Sequence, residues 1–192
     1  MEIKNAKFVK SVADKNLLND LPEIAFCGRS NVGKSSLINA LCNHSGLAKT
    51  SSSPGKTRLI NYFSINNNSF YLVDLPGYGF HKAGKGYEEK WADILENYIL
   101  KSSMLKVCFL LLDIRHAPSL EDRQMIEFLS YNQIPYVIIA TKSDKLSKSQ
   151  INNAVLALAG ETKLGRDNII AVSSNKKTNL NKVCDMIERF VL

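Results

Sequence analysis

Two short runs in this chain carry residue types able to hold a nucleotide. Gly28-Arg29-Ser30-Asn31-Val32-Gly33-Lys34-Ser35-Ser36 follows the apolar stretch Ile24-Ala25-Phe26-Cys27 and opens onto Leu37-Ile38-Asn39-Ala40-Leu41. Gly28 and Gly33 let the backbone curl round an anion with no side chain in the way. Successive N–H groups and the start of the following helix then face phosphates. Lys34 can place a charge on the β- and γ-phosphates, and the Ser35 hydroxyl can ligate Mg²⁺. Far downstream, Thr141-Lys142-Ser143-Asp144 ends a second apolar stretch, Tyr136-Val137-Ile138-Ile139-Ala140. A carboxylate at Asp144 accepts from guanine N1–H and its exocyclic amine. Adenine lacks that donor pair and would leave the charge unpaired, a loss of several kcal/mol. Lys142 can lay its aliphatic stem over the base plane, and Val172-Ser173-Ser174 can offer a backbone N–H to guanine O6. The two runs together point to GTP and GDP.

Two further segments fit a nucleotide that is cleaved. In Leu72-Val73-Asp74-Leu75-Pro76-Gly77, an apolar run leads into Asp-x-x-Gly. Asp74 can reach Mg²⁺ through a water and the Gly77 N–H can meet the γ-phosphate, so residues 74–77 read as a second switch. Gly55-Lys56-Thr57-Arg58-Leu59 reads as the first switch, with the Thr57 hydroxyl as a second Mg²⁺ ligand while the γ-phosphate is bound. Tyr78 stands where Ras-type GTPases carry the glutamine that orients the attacking water. Intrinsic hydrolysis is therefore expected to be slow. A partner, a monovalent cation or another residue of the 79–90 loop must complete the site.

These residues need a frame that brings them together. The hydrophobic pattern predicts strands at 23–27, 58–65, 69–74, 106–113, 136–141 and 168–173, and helices at 34–43, 87–102, 119–131, 147–159 and 179–191. Asn66-Asn67-Asn68 between two strands predicts a hairpin turn. Tyr87, Trp91, Leu95 and Tyr98 share one helix face. Alternating strands and helices imply an α/β, doubly wound, mostly parallel six-stranded sheet with one antiparallel hairpin strand. Gly28, Asp74, Asp144 and Ser173 then fall at the carboxyl ends of strands, where such sheets bind ligands.

The 192 residues fit one domain spanning 1–192. With 45% hydrophobic and 22% charged residues, the composition is that of a folded globular protein. The longest apolar run, Val107-Cys108-Phe109-Leu110-Leu111-Leu112, is too short to span a bilayer. Residues 1–20 are mostly polar, with no charged-then-apolar leader, so the expected location is cytoplasmic. Cys27, Cys42, Cys108 and Cys184 are scattered through apolar patterns and read as small core residues. His44, His81 and His116 have no metal-ligand spacing. The net charge of +7 leaves a cationic surface suited to a polyanion. Lysines gather at Lys82, Lys85 and Lys90, at Lys142, Lys145 and Lys148, and at Lys176, Lys177 and Lys182. Their sum favours RNA or a ribonucleoprotein, with no DNA expected; charge alone leaves an anionic membrane open.

The chain resembles one family closely, the EngB (YihA/YsxC) GTPases within the Era/TrmE-like branch of P-loop GTPases. The likeness runs from about residue 5 to residue 190. It is carried by Gly28 through Asn39, by Pro54-Gly55-Lys56-Thr57, by Ile60-Asn61-Tyr62-Phe63 and by Val73-Asp74-Leu75-Pro76-Gly77-Tyr78-Gly79. Asp113-Ile114-Arg115-His116 with Pro118 and Asp122, and Thr141 through Leu146, continue it. The resemblance implies a G-domain fold and a GTPase needed for large ribosomal subunit assembly, and through it for normal cell division. It also suggests that Asn31 helps hold K⁺ beside the phosphates, as in some relatives of this branch. Two other readings stay open: an RNA-modification or membrane-associated GTPase module of the same branch, and an RNA-binding protein whose nucleotide is structural. Asn179 departs from the family, whose members tend to have Gly there, but asparagine tolerates the left-handed backbone.

Overall fold

A computed structural model describes residues 1–12, 20–49, 59–79 and 85–192, the side chains of 85–92 excepted. Seven strands and five helices alternate: β1 (Ala6–Val12), β2 (Glu23–Gly28), α1 (Lys34–Leu41), β3 (Ile60–Ile65), β4 (Phe70–Asp74), α2 (Lys85–Lys101), β5 (Leu105–Asp113), α3 (Leu120–Tyr131), β6 (Tyr136–Thr141), α4 (Lys148–Thr162), β7 (Ile169–Ala171) and α5 (Leu180–Val191). The sheet order is β1-β3-β4-β2-β5-β6-β7. β2 pairs in parallel with β4 and β5, and β6 in parallel with β5 and β7. Only β3 runs against the rest, antiparallel to both β1 and β4.

The doubly wound α/β architecture is as expected, but the sheet has seven strands and not six. The added strand, β1, pairs from Ala6↔Ile65 to Val12↔Ile60 with an irregularity between Phe8 and Lys10. It is an edge strand, mostly exposed, and carries Lys7 and Lys10 as edge strands commonly do. That polarity hides it in the sequence. Phe8, 53% exposed, stacks edge-on against Phe63 at 5.9 Å. At the hairpin, Asn66, Asn67 and Asn68 all take positive φ (48°, 56° and 64°), the conformation asparagine adopts more readily than most residues.

Central strands are buried on both faces, which explains their unbroken apolar runs. One face packs Phe26, Phe109 and Val137 against Leu37 and Ile38 of α1 and Val183 and Ile187 of α5. The other packs Tyr62, Val73 and Leu110 against Leu95 and Tyr98 of α2, Met125 and Leu129 of α3 and Leu158 of α4. Leu95 and Tyr98 thus share the buried face predicted for α2; the Tyr87 and Trp91 side chains lie outside the described residues. All four cysteines are free and buried in this core. Among the described residues no helix is long and apolar enough to cross a membrane.

The core holds several ionisable groups, one of them a carboxyl at the far end of β2. Glu23, at the end of β2 remote from Gly28, is fully buried. Its Oε2 accepts from the Tyr98 hydroxyl and the Ser102 hydroxyl, both at 2.7 Å. The carboxyl therefore clamps the C-terminal end of α2 to the start of the central strand. Burial pushes the Glu23 pKa up, only partly offset by the Ser102, Tyr98 and Tyr62 hydroxyls. A raised folded pKa means that the folded chain holds this proton more tightly than the unfolded chain. Its contribution then grows as pH falls through the folded value towards the unfolded one. Urea unfolding of wild type and Glu23→Gln from pH 8 to pH 5 checks this. The difference should shift steadily in favour of wild type as pH falls, and parallel curves would contradict it.

Candidate nucleotide site

The candidate phosphate loop leaves β2 at Gly28, beneath β5. A Cβ at Gly28 would lie 2.9 Å from the Leu111 carbonyl oxygen and 3.0 Å from Val32 Cγ1, so only glycine fits. At the other end Gly33 has φ of 105°, and the space where its Cβ would stand is open. Between them Asn31 is left-handed at φ 64°. α1 begins at Lys34 with no side-chain cap, leaving the N–H groups of its first turn to an anion. Ser35, half-buried, and the exposed Ser36 lie in that turn.

Beside this loop β4 delivers Asp74, which forms an ion pair with Lys34. Both side chains are largely shielded, at 6% and 10% exposure. The Leu75 N–H donates to Phe26 O at 3.0 Å and carries the β4 direction one residue further. Gly77 then packs on Ser30: a Cβ there would meet Ser30 N and Oγ at 3.2 Å. Tyr78 forms a parallel bridge with Arg29. The Ser30 N–H donates to Tyr78 O at 2.9 Å and the Tyr78 N–H to Gly28 O at 3.3 Å. The Tyr78 side chain, 3% exposed, points into the core and donates its hydroxyl to Asp122 Oδ1 at 2.8 Å. Burial, with Cys27 and Asp122 alongside, pushes the phenol well above its ordinary pKa, so it stays a donor.

The candidate guanine loop is fastened directly to the phosphate loop. The Thr141 hydroxyl donates to Val32 O at 2.8 Å and lies 3.1 Å from Leu112 O. Lys142, left-handed at φ 62°, extends its ammonium to Asn31 O at 3.0 Å and to Asp113 Oδ2 at 2.9 Å. Its stem is thereby stretched between the two loops. Asp113 also takes a two-pronged contact from Arg115, at 2.9 and 2.7 Å. Burial pushes the Asp113 carboxyl up, but the Arg115 and Lys142 hydrogen bonds outweigh it and hold the group well below the carboxylate range. Ser143 N–H donates to Val172 O at 3.0 Å, joining this loop to the end of β7. Asp144 Oδ1 accepts from the Ser173 hydroxyl at 2.7 Å, and Ser173 Oγ accepts from the Lys176 N–H at 3.0 Å. The Ser173 hydroxyl, followed by Lys145, lowers the Asp144 pKa, so the carboxylate is ionised at neutral pH.

Gly28 through Ser36, Asp74 through Gly77, Thr141 through Asp144 and Val172 through Ser174 therefore gather along the carboxyl edge of one sheet. Gly55, Lys56, Thr57 and Arg58 lie outside the described residues; Leu59, 41% exposed, precedes β3. The donor set suits Mg²⁺, a hard ion that takes few protein ligands beside phosphate oxygens and water: a hydroxyl at Ser35 and a shielded carboxylate at Asp74. Asn31 takes the left-handed backbone that asparagine adopts readily, and its main-chain carbonyl accepts from Lys142. Three roles escaped the sequence reading. Ser173 orients Asp144 through its side chain, Asp113 anchors Lys142, and Asp122 takes the Tyr78 hydroxyl. Asp113 and Asp122 did stand out within the Asp113-Ile114-Arg115-His116 and Pro118/Asp122 segments, but no local signal there tells what they touch.

Comparison with known proteins finds related GTP-binding proteins. A family model described as a 50S ribosome-binding GTPase matches residues 23–142. A "Probable GTP-binding protein EngB" from Desulforamulus reducens is 43% identical over 194 residues, covering 100% of this chain and 95% of that protein. Its counterpart from Mycoplasma capricolum is 45% identical over 192 residues, covering 98% of each. A crystal structure of a probable GTP-binding protein engB superposes with a TM-score of 0.72 at 25% identity, over 88% of this chain and 98% of that one. Era in complex with MgGDPNP and 16S ribosomal RNA shares the fold, with a TM-score of 0.72 at 19% identity, over 90% of this chain and 57% of that one.

The guanine contact yields a direct test. Asp144→Asn should weaken GTP relative to xanthosine triphosphate by on the order of 100-fold, because the amide N–H₂ meets the xanthine C2 carbonyl. Competition against a fluorescent guanine nucleotide measures it. Wild type binding ATP as well as GTP would overturn the assignment.

Proposed function

The chain belongs to the EngB family of P-loop GTPases, and from that premise we propose that it acts as a switch in large ribosomal subunit assembly. In this reading it is one G domain, residues 1–192, working in the cytoplasm, and its ribosomal role makes it necessary for normal cell division. The observation that carries the reading is the joining of the guanine loop to the phosphate loop beside a lysine-rich surface. Lys145, Lys148, Lys176 and Lys177 are all exposed around the guanine loop, on a chain of net charge +7. Such a surface suits ribosomal RNA, and the description of the matching family model points to the same partner.

At the nucleotide, Asp144 and Lys142 take the guanine, with Thr141, Ser143 and Val172–Ser174 holding them in register. The backbone of residues 28–36 takes the phosphates. Lys34 exchanges Asp74 for the β- and γ-phosphates. Ser35 and, in the first switch (Gly55, Lys56, Thr57, Arg58, Leu59), Thr57 would hold Mg²⁺, and Asp74 would reach it through water. The ion, when bound, neutralises charge developing between the β- and γ-phosphoryl oxygens. Asp74 through Gly77 form the second switch. Hydrolysis is slow without a partner because the residue after Gly77 sends its side chain into the core and presents nothing to the attacking water.

Binding to large-subunit particles should depend on nucleotide state and fall steeply with salt, through counterion release. Lys176→Ala with Lys177→Ala should flatten the slope of log affinity against log salt by about one for each lost phosphate contact. Sedimentation of the protein with purified 50S particles, in GTP, GDP and no nucleotide, reads both effects. Retention that ignores salt and nucleotide alike would refute the reading.

A further inference from the structure

Tyr78 and Asp122 form a link that the nucleotide chemistry described above does not use. Backbone bonds in both directions lay the residue after Gly77 alongside the phosphate loop, Ser30 N–H to Tyr78 O at 2.9 Å and Tyr78 N–H to Gly28 O at 3.3 Å. Its side chain crosses the core and ends on Asp122 Oδ1 at 2.8 Å, a buried contact. Asp122 is itself held. Its Oδ2 accepts the Ser119 N–H at 2.9 Å, and its own N–H donates to Ser119 Oγ at 3.3 Å, a reciprocal cap at the start of α3. The third position of such caps usually carries Glu or Gln. Here the shorter aspartate closes the cap with one oxygen and keeps the other for the tyrosine. The one carboxylate therefore joins α3, through its cap, to Tyr78, whose backbone lies against Gly28 and Ser30 of the phosphate loop.

We propose that Asp122 is a positioning residue for GTP hydrolysis. Through the Tyr78 hydroxyl it fixes where the chain leaves the phosphate loop after Gly77. Tyr78 is the tether and never the group that handles the attacking water. A fixed exit point fixes the Gly77 N–H, whose distance from the γ-phosphate matters only for the triphosphate. GDP binding draws on Lys34, Ser35 and the guanine loop, and is indifferent to the tether. The inference rests on the GTPase chemistry alone, and the test uses the isolated full-length protein, so it stands or falls apart from the ribosomal reading.

The test is a double-mutant cycle of Tyr78→Phe and Asp122→Ala, with Asp122→Asn as the conservative variant. Single-turnover GTP cleavage, GTP and GDP affinities and melting temperature are measured for each. Tyr78→Phe and Asp122→Ala should each slow cleavage about tenfold, because both release the same exit point. GDP affinity should stay within about twofold of wild type, and the double variant should be no slower than either single one. Asp122→Asn keeps an oxygen for the Tyr78 hydroxyl. It should recover most of the rate while its weakened Ser119 cap appears in the melting temperature alone. Tyr78→Phe keeps the ring in the core and remains informative even if Asp122→Ala folds poorly. These results overturn the proposal: a melting temperature that falls while cleavage stays at the wild-type rate, slowing by Tyr78→Phe beside normal cleavage in Asp122→Ala, or singles that multiply in the double variant. Equal loss of GDP and GTP affinity also overturns it.

Discussion

Two contacts hold the candidate guanine loop against the phosphate loop, Thr141 to Val32 and Lys142 to Asn31, and a third, Lys142 to Asp113, ties it to the end of β5. The candidate site depends on them, because the two loops come from strands separated by β5 and share no ladder of their own. Two carbonyls of the phosphate loop are spent on this joint, which orients the loop. A buried hydroxyl such as that of Thr141 costs about 1–3 kcal/mol when left unpaired, so the joint does not open cheaply. Ser173 extends the same logic sideways by aiming the Asp144 carboxylate through a hydroxyl that is itself fully buried.

The phosphate half of the site is fastened differently. Lys34 and Asp74 neutralise each other, and each is a candidate for the nucleotide chemistry in its own right. Their pairing protects two shielded charges that would otherwise be costly to leave uncompensated. Gly77 and Tyr78 rest on the phosphate loop through backbone contacts, and past Gly79 the chain runs on towards α2. A rigid base clamp next to exchangeable phosphate contacts is the division of labour a nucleotide switch requires. One side confers selectivity, and the other registers which nucleotide is present.

Much of this was legible in the sequence because chemistry and backbone geometry leave little freedom in residue type. Gly28 is required by the approach of Leu111, and the left-handed backbone at the start of α5, observed at φ 58°, suits the asparagine at 179. The doubly wound, mostly parallel sheet with its antiparallel hairpin followed from apolar runs alternating with helical periods. What escaped is what sequence cannot encode locally. β1 is an edge strand whose lysines read as loop. Asp113, Asp122 and the Ser173 side chain act through partners distant in the chain, and only the fold reveals the pairing. The inward turn of Tyr78 belongs with them: the missing glutamine was plain, but not that its replacement faces the core.

The buried Glu23 contact has a mechanical side. It pins α2 at the end away from the nucleotide, through Tyr98 and Ser102, while the opposite end is joined to the segment following Gly79. A helix of 17 residues is about 25 Å long. Pivoting by about 10° about the pinned end would carry its first turn some 4 Å, roughly the width of a strand spacing, while the last turn stays still. In such a movement Glu23 would be the fulcrum and α2 the lever arm, with the displacement greatest at the first turns and least at Tyr98.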